Sequence, residues 1–448
     1  MVVQVFDRAD VGRAFILSRR DMREVELSPR MREGVVRVFG EPLSAEEVVT
    51  RIVSDVRARG DVALKEYSAT IDGVALKTIE VEQDEIDAAF NAVPPPVVEA
   101  LQLAADRIRA FHQRQRVGSW IDFNADGSLG QMVRPLERVG VYAPGGTAPY
   151  PSSLLMTAVP ASVAGVEEII VCAPPERHGS IAPVTAVAAR IAGATRVFKV
   201  GGAQAIAAMA YGTETVPRVD KICGPGNIFV VLAKRQVYGQ VAIDLLPGPT
   251  ETVIIADDST DPILCASDLL AQAEHDPMAS AILLTTSAQV AVRVVDEIER
   301  QLRRLERATI ARESLKANGA IIIVDDVDSA IDLSNDYAPE HLCLQVRDAW
   351  SHLGKVRHAG GVFVGEHSPE VLGDYTAGPS HVMPTGRTAR FASPVNVMDF
   401  VKIISVIGLN VDALEQIGPA AATIARAEGL TGHAAAIEQR LERLRPEE

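Results

Sequence analysis

The stretch "EIIVCAPPERHGSIAPVTAVAARIAGATRVFKVGGAQAI", residues 168–206, alternates short apolar strands with an alanine-rich helical run. Its segments "EIIVCA" (168–173) and "RVFKVG" (196–201) have the composition of buried strands. A strand, a helix and a second strand in this order form a β-α-β unit with a right-handed crossover and parallel strands. The stretch therefore predicts an α/β fold built on a mainly parallel sheet.

The same alternation continues in both directions and falls into two series of strands. The first series also contains "VGVYA" (139–143), "VDKICG" (219–224) and "QVAIDL" (240–245). The Pro/Gly cluster "LLPGPTE" (245–251) separates it from the second series, which contains "TVIIAD" (252–257), "AILLTT" (281–286), "AIIIVDD" (320–326), "HLCLQV" (341–346) and "GVFVG" (361–365). Two series of similar plan predict two doubly wound, Rossmann-like domains with mainly parallel sheets, plus helical N-terminal and C-terminal segments.

The 448-residue chain is too long for one ordinary core, so we expect several packed units. The predicted division is an N-terminal arm (1–32), a first α/β domain (33–140 and 250–395), a second α/β domain (141–249) and a C-terminal helical segment (396–448). Within the first domain, Ser44 and Glu47 have the spacing of a capping box, and the helix that they start is expected to end at Gly60. The C-terminal segment is small for a core of its own, so it packs on a sheet domain or crosses to another subunit.

Charge and composition exclude several classes of partner. The chain has 44 Lys and Arg against 59 Asp and Glu, a formal net charge of -15, and its basic residues are scattered. This pattern argues against nucleic acid or an anionic membrane as a partner. The four cysteines lie far apart without a CxxC pair, which indicates buried free thiols in a reducing compartment. Without a signal-like N-terminus or an apolar run of about 18 residues, the expected location is the cytoplasm.

Three glycine-rich turns follow predicted strands and open predicted helices: "YAPGGTAP" (142–149), "KVGGAQAI" (199–206) and "ICGPGNIF" (222–229). At such turns backbone amides and a helix N-terminus can receive a phosphate. None of them matches G-x-G-x-x-G, and each alone also fits an ordinary tight turn. Gln204 and Asn227 stand where an amide can cap a helix or bind a ligand. Three turns in one sheet favour a ligand-binding rim.

A second set of polar residues has the composition of a metal site. Asp261 and Pro262 start a helix that places Gln272 and His275 on one face near its end. The long polar stretch 366–400 offers Asp374, Tyr375 and His381, and the segment 428–437 offers Glu428 and His433. If Gln272, His275, Asp374 and His433 converge, their amide, imidazole and carboxylate groups suit a catalytic zinc or manganese. A histidine that only ends a helix remains the alternative for His275.

"NDYAPEHLCLQV" (335–346) places Glu340 and His341 next to each other immediately before or within a predicted strand. The pair could belong to a solvated loop, since Glu and His are common at surfaces. It could also provide two proton-transfer groups at the mouth of a sheet. The sequence alone leaves both interpretations open.

The ordered motifs resemble the histidinol dehydrogenase family, the zinc- and nicotinamide-dependent enzymes that end histidine biosynthesis. The resemblance is carried by "RVGVYAPGG" from 138, "GGAQAIAAMAYGTETVP", "DKICGPGN", "GPTETVIIAD", "LLAQAEHD", "YAPEHL", "GDYTAGPSHVMPTG", "FVK" and "LTGHAAAI". These motifs extend over about two thirds of the chain, and their correct order is far more specific than any one of them. One position departs from the family pattern, because Thr250 stands where serine is common.

The resemblance implies one zinc ion per subunit and NAD as cofactors. It makes Gln272, His275, Asp374 and His433 the zinc ligands and Glu340 and His341 the acid–base pair. It places the substrate, L-histidinol, against these ligands, His341, Thr250, His381 and Glu428, and the dinucleotide at Tyr142, Gln204 and Asn227. It also implies a homodimer in which Glu428 and His433 complete the neighbouring subunit's site.

The implied reaction oxidises L-histidinol to L-histidine through the aldehyde, with two NAD+ reduced. His341 would take the hydroxyl proton, and Glu340 would activate water that hydrates the aldehyde. Rival interpretations are a paralogous zinc- and NAD-dependent dehydrogenase of another polar alcohol, such as a sulfonated diol, a zinc hydrolase, and a catalytically silent binding protein on this scaffold. The three glycine-rich turns weigh against the hydrolase.

Overall fold

A computed structural model describes residues 2–18, 27–145 and 149–444 of the chain. It divides into two compact units. The first unit contains Met1–Gln115 and Leu136–Phe400, and the second contains Arg116–Pro135 and Val401–Glu448.

The strands and helices alternate along most of the chain. The strands are β1 Gln4–Phe6, β2 Trp120–Asn124, β3 Gly127–Pro135, β4 Arg138–Tyr142, β5 Glu168–Ala173, β6 Arg196–Lys199, β7 Lys221–Cys223, β8 Ala242–Ile243, β9 Glu251–Ala256, β10 Ser280–Thr285, β11 Ala320–Ile323, β12 His341–Gln345, β13 Gly361–Val364 and β14 Val401–Leu409. The α-helices are α1 Ala9–Leu17, α2 Pro29–Phe39, α3 Ala45–Arg59, α4 Asp61–Tyr67, α5 Gln83–Ala92, α6 Pro95–Gln113, α7 Pro151–Ala164, α8 Pro183–Ala192, α9 Gly202–Tyr211, α10 Ile228–Val237, α11 Pro262–Ala273, α12 Ala288–Leu302, α13 Ala308–Asn318, α14 Val327–Tyr337, α15 Ala349–His352, α16 Glu370–Tyr375, α17 Val411–Ala427 and α18 Thr431–Glu442. A short π-helix, Ser68–Asp72, continues α4.

The first unit contains two parallel sheets, as the sequence predicts. A five-stranded sheet has the order β6-β5-β4-β7-β8, and a six-stranded sheet has the order β1-β11-β10-β9-β12-β13. All ten predicted strands are present, the first series in one sheet and the second in the other. Their apolar runs are buried on both faces, because parallel sheets are covered by helices on both sides. The predicted doubly wound α/β class is confirmed.

Helices from the N-terminal part cover the five-stranded sheet. Buried residues of α3 pack with α9 and α10 on one face, and buried residues of α6 pack with α7 and α8 on the other. The six-stranded sheet is covered by α11, α12 and α13 on one face and by α1 and α14 on the other. The sequence division grouped residues 33–140 with 250–395, whereas α3 and α6 pack on the sheet formed within 138–243. An amphipathic pattern gives a helix an apolar face without saying which sheet covers it.

The local helix signals act as their sequence predicts. Ser44 and Glu47 form the reciprocal capping box of α3, which ends at Gly60. Asp261 accepts a hydrogen bond from the Ile263 amide at the start of α11, with Pro262 in its first turn. These caps satisfy amides that have no partner within the helix.

The N-terminal arm and C-terminal segment both contain strands that were not predicted. β1 pairs in parallel with β11 at the edge of the six-stranded sheet. In the second unit, β14 pairs antiparallel with β3, and β3 with β2. Residues 396–448 are thus not wholly helical. Most side chains of β14 are exposed, so the strand lacks the alternation of buried and exposed positions that reveals a strand.

The cysteines agree with the expectation drawn from the sequence. Cys172, Cys223, Cys265 and Cys343 are free thiols, and all of them are buried. Among the residues described, every helix is too short or too polar to cross a membrane.

Candidate active site

Glu340 and His341 stand at the amino end of β12 and are almost fully buried. Their exposed fractions are 7% and 4%, which excludes the solvated-loop interpretation. Ala338, the residue after α14, adopts the left-handed conformation with φ of 54°, unusual for a residue with a Cβ. The sharp turn at Ala338 returns the chain to the sheet and places Glu340 and His341 at the amino ends of its strands.

A single hydrogen bond sets the proton arrangement of His341. Its Nδ1 lies 3.1 Å from the carbonyl oxygen of Glu251. Because a carbonyl oxygen only accepts, Nδ1 carries the hydrogen and Nε2 of the neutral ring keeps its lone pair. Nε2 is buried and has no hydrogen-bond partner among the residues described, and it lies 4.0 Å from Asp374 Oδ1. His341 can therefore accept a proton at Nε2.

Glu340 is held by two donors on the adjacent strand. Its Oε2 accepts a hydrogen bond from Thr250 Oγ1 at 2.5 Å and another from the Glu251 amide at 3.0 Å. Burial raises the pKa of Glu340 well above its ordinary value, an effect that the bond from Thr250 opposes. The carboxyl group is thus a stronger base than an exposed glutamate and is fixed in orientation.

Three of the predicted metal ligands belong to the first unit. Helix α11 runs back from the carboxyl edge of the six-stranded sheet, so its end brings Gln272 and His275 to the amino edge, where Glu340 lies. Gln272 Nε2 donates to Thr250 Oγ1 at 2.8 Å, which leaves the amide oxygen as the atom for a metal. Desolvation by packed neighbours lowers the pKa of His275 although part of its ring is exposed, while the charge of Asp374 acts in the opposite direction.

His381 is fixed by contacts at both ring nitrogens. Nδ1 donates to the carbonyl oxygen of Asp374 at 2.8 Å, and Nε2 accepts from Ser153 Oγ at 3.0 Å. The Asp374 carboxylate lies 3.9 Å from the same ring. Burial lowers the pKa of His381, which favours the neutral ring. The predicted residues Glu340, His341, Asp374 and His381 therefore belong to one cluster, which we call the acid–base cluster.

The remaining predicted residues of this site, Glu428 and His433, belong to the second unit and are exposed. Their role in the cluster stays a prediction. Within the described parts of the chain, no group of three His, Cys, Asp or Glu residues is placed to hold a metal ion. The predicted ligands in the first unit are one histidine, His275, one aspartate, Asp374, and the amide of Gln272. Their chemistry suits zinc, but only two of them are of the His, Cys, Asp or Glu type.

The predicted dinucleotide residues line a cavity of about 700 Å³ at the carboxyl edge of the five-stranded sheet. Tyr142 ends β4, and Asn227 caps α10 after β7. Because β4 and β7 are neighbours whose crossovers leave in opposite directions, the cavity lies at the switch point where such folds bind ligands. Residues 146–148 of the first glycine-rich turn lie outside the described residues.

Two of the residues that line the cavity carry buried polar groups. Gln204 is 1% exposed, and its Nε2 has no hydrogen-bond partner in the described part of the chain. Tyr142 accepts a hydrogen bond from the Gly202 amide at 3.0 Å, and burial raises its pKa to about 12. A buried amide without a partner at a helix N-terminus fits a polar ligand.

A buried ion pair fixes the turn that leads to Asn227. Lys234 and Asp244 pair with each other, and both side chains are fully buried. Lys234 Nζ donates to the Gly224 carbonyl at 3.0 Å, while the Gly224 amide donates to Asp244 at 2.7 Å. Gly224 has φ of 116°, and a Cβ there would collide with the Tyr142 carbonyl oxygen. The pair and the glycine together hold one wall of the cavity.

Sequence reasoning missed three carboxyl residues that lie near the acid–base cluster or the cavity. Glu251 begins β9, and its side chain accepts a hydrogen bond from the Gly386 amide at 3.0 Å. It was not singled out, although it is part of the quoted motif "GPTE". Glu370 accepts a hydrogen bond from Thr252, and burial raises its pKa to about 7. Asp72 lines the cavity. Glu251, two residues before the apolar run "VIIA", carried a usable signal within the motif "GPTE", whereas Glu370 and Asp72 look like ordinary solvated residues in the sequence.

Comparisons with known proteins agree on one family. A family model described as histidinol dehydrogenase matches residues 40–441. The chain is similar to the histidinol dehydrogenases of Deinococcus radiodurans, with 55% identity over 94% of this chain and 97% of that protein, and of Moorella thermoacetica, with 52% identity over 90% and 96%. Its fold is similar to the crystal structure of histidinol dehydrogenase from Elizabethkingia anophelis, with a TM-score of 0.91, 34% identity and 99% of each chain covered.

Proposed function

The chain belongs to the histidinol dehydrogenase family, and on that premise we propose that it oxidises L-histidinol to L-histidine through the aldehyde, with two NAD+ reduced. This is the last step of histidine biosynthesis. The observation that carries the proposal is the buried, proton-free Nε2 of His341 beside the carboxyl group of Glu340. Such a pair supplies two bases at one position, and two successive oxidations need two proton acceptors.

In the first oxidation, His341 Nε2 would accept the hydroxyl proton of the alcohol. Nδ1 keeps its hydrogen and goes on donating it to the Glu251 carbonyl oxygen, so the ring does not turn as it becomes charged. Asp374, 4.0 Å from Nε2, would stabilise that positive charge. Bound NAD would accept the hydride in each oxidation.

The second oxidation requires water, because hydride can leave only from a tetrahedral carbon. Glu340 would remove a proton from this water as it adds to the aldehyde. The raised pKa of Glu340 makes its carboxylate a better proton acceptor, and Thr250 holds the carboxylate in place. His341 would then serve again on the hydrated aldehyde.

Gln272, His275, Asp374 and His433 would hold one zinc ion per subunit. The oxygen of the Gln272 amide suits this role, because its nitrogen is already bonded to Thr250. A bound zinc ion would orient the amino and imidazole nitrogens of the substrate. His381, Thr250 and Glu428 would line the same substrate.

The cavity at Tyr142, Gln204 and Asn227 would hold the dinucleotide. Its place at the switch point of a parallel sheet, and the Gln204 amide without a described partner, support this assignment. The substrate would then bind at the acid–base cluster, and the dinucleotide would bind in the cavity.

A homodimer with shared sites is part of the proposal. The second unit exposes large apolar side chains of its antiparallel sheet, among them Phe123 at 77% and Ile407 at 72%. Exposed apolar residues concentrated on a small sheet mark an interaction surface. Glu428 and His433, both in this unit, would complete the site of the neighbouring subunit.

The cytoplasm is the proposed location, since buried free thiols suit a reducing compartment. The net charge of -15 supports a small-molecule substrate over nucleic acid or a membrane surface.

The test offers the purified protein L-histidinol, a sulfonated diol and other polar alcohols in turn, with NAD+, and identifies the products by mass spectrometry. Histidine from histidinol supports the proposal. Turnover of the diol alone would identify the paralogous dehydrogenase, and product formation without NADH would favour the hydrolase.

A further inference from the structure

Asp72 is the notable group on the cavity wall that the proposed reaction does not use. It ends the short π-helix Ser68–Asp72 and lines the cavity together with Tyr142 and Gln204. Its Oδ2 is buried and has no hydrogen-bond partner among the residues described. An acceptor in this position is costly unless a ligand supplies donors.

The other charged residues around the cavity are more open to solvent. Glu176, Arg177 and His178 also line it, and all three are exposed. The charges of Glu176 and Arg177 are opposite and screened by water. Burial without a charged partner raises the pKa of Asp72 to about 7, in keeping with an acceptor that the protein itself leaves unsatisfied.

The cavity fits the adenosine end of a dinucleotide. No residue of the acid–base cluster lines the described part of the cavity, so the reacting end of a bound dinucleotide would extend out of it. Pro149 lines the cavity and Ser153, four residues later, binds His381, so the start of α7 connects the two places. Ile71, Pro144 and Pro174 supply apolar surface for a flat base near Asp72.

We propose that Asp72 accepts hydrogen bonds from the adenosine ribose hydroxyls and makes the protein select NAD over NADP. This inference rests on the proposed function, because it assumes that a nicotinamide dinucleotide is the cofactor. A ribose diol supplies the donors that the carboxylate lacks. The 2′-phosphate of NADP would instead bring a second negative charge against it, and like charges at close range oppose binding.

The experiment measures binding without catalysis. NADH and NADPH, which are both fluorescent, are titrated into the purified protein without substrate, for the wild type, Asp72→Asn and Asp72→Ser. We expect the wild type to bind NADH at least about tenfold more tightly than NADPH, and both variants to lose most of this difference through weaker NADH and stronger NADPH binding. Asp296→Asn, an exposed carboxylate on α12, is the matched control and should keep the wild-type ratio.

Each outcome decides the inference. An unchanged NADH to NADPH ratio in Asp72→Asn and Asp72→Ser, or equal weakening of both ligands, would overturn it while leaving the proposed reaction in place. A wild type that binds NADPH as tightly as NADH would also overturn it alone. A wild type that binds neither ligand would overturn it together with the proposed cofactor. Thermal unfolding of each variant checks that it is folded.

Discussion

Glu251 positions both members of the acid–base pair through its backbone. Its amide donates to Glu340 Oε2, and its carbonyl accepts the Nδ1 hydrogen of His341. Backbone groups in the middle of a parallel sheet have little freedom, so the two side chains are held without the entropy cost of flexible partners. The Thr250 hydroxyl then connects Glu340 to Gln272, one of the proposed metal ligands.

Glu340→Gln should slow the second oxidation far more than the first. The amide cannot take a proton from water, and loss of a general base lowers the rate by about 10² to 10⁴-fold. His341 and its bond to Glu251 should remain, so oxidation of the alcohol should be largely kept. Single-turnover rates measured separately with L-histidinol and with the aldehyde make the comparison, and Glu366→Gln, an exposed carboxylate, is the control. Equal losses in both steps would remove Glu340 from this role.

Asp72→Asn should change how stability depends on pH. Burial raises the pKa of Asp72 in the folded protein to about 7 from an ordinary value of 3.8. Its protonated form therefore stabilises the fold at pH below about 4, and this contribution is lost as pH rises towards and through 7. Relative to the variant, the wild type without ligands should lose on the order of 2 kcal/mol across this window, allowing for solvent screening. Denaturant midpoints at several pH values measure the difference, and parallel curves would contradict the assignment.

At the scale of elements, the cavity lies at the carboxyl ends of the strands of one sheet, whereas the acid–base cluster lies at the amino ends of the strands of the other. The cavity lies where β4 and β7 end, the usual ligand edge of a parallel sheet. Glu340 and His341 stand where β9 and β12 begin. Helix α11 makes this possible, because it runs antiparallel to the strands and brings Gln272 to their amino ends.

The Lys234–Asp244 pair should be essential to the turn at Gly224. Lys234→Met leaves Asp244 buried and charged without its partner, which lowers the free energy of unfolding by about 3–5 kcal/mol. Lys355→Met removes an exposed pair with Asp328 and should change it by less than about 1 kcal/mol. Chemical denaturation of both variants tests this contrast. Equal effects would mean that burial does not distinguish the two pairs.

The sequence predicted elements well where apolar runs are buried and less well elsewhere. The ten core strands stand out because short continuous apolar runs such as "EIIVCA", alternating with helical stretches, are typical of buried parallel strands. β2 and β14 were missed because their side chains face solvent, so neither carries a burial pattern. The grouping of Glu340, His341, Asp374 and His381 came from family resemblance, since residues far apart along the chain share no periodic signal. The partnership of Glu251 and Glu340 depends on strand register, which only the folded sheet supplies.

At the scale of the whole molecule, the proposed dimer predicts that two variants that each fail to form histidine restore histidine formation in each other. His433→Asn should remove a metal ligand, and Glu340→Gln should remove the water-activating base. When the two proteins are mixed, unfolded and refolded together, random pairing should yield about a quarter of wild-type activity, because each hybrid contains one complete site. If every site is formed by a single chain, the mixture should form no more histidine than its components. Sedimentation confirms that dimers re-form.

The proposed reaction is a zinc-dependent oxidation that removes four electrons from one substrate at Glu340 and His341. The decisive measurement counts the NADH formed per L-histidinol consumed by the purified protein, before chelation, after chelation and after zinc is restored. We expect about two NADH per substrate, lost on chelation and recovered with zinc. One NADH with the aldehyde accumulating, or no NADH from a folded and zinc-loaded protein, would contradict the account.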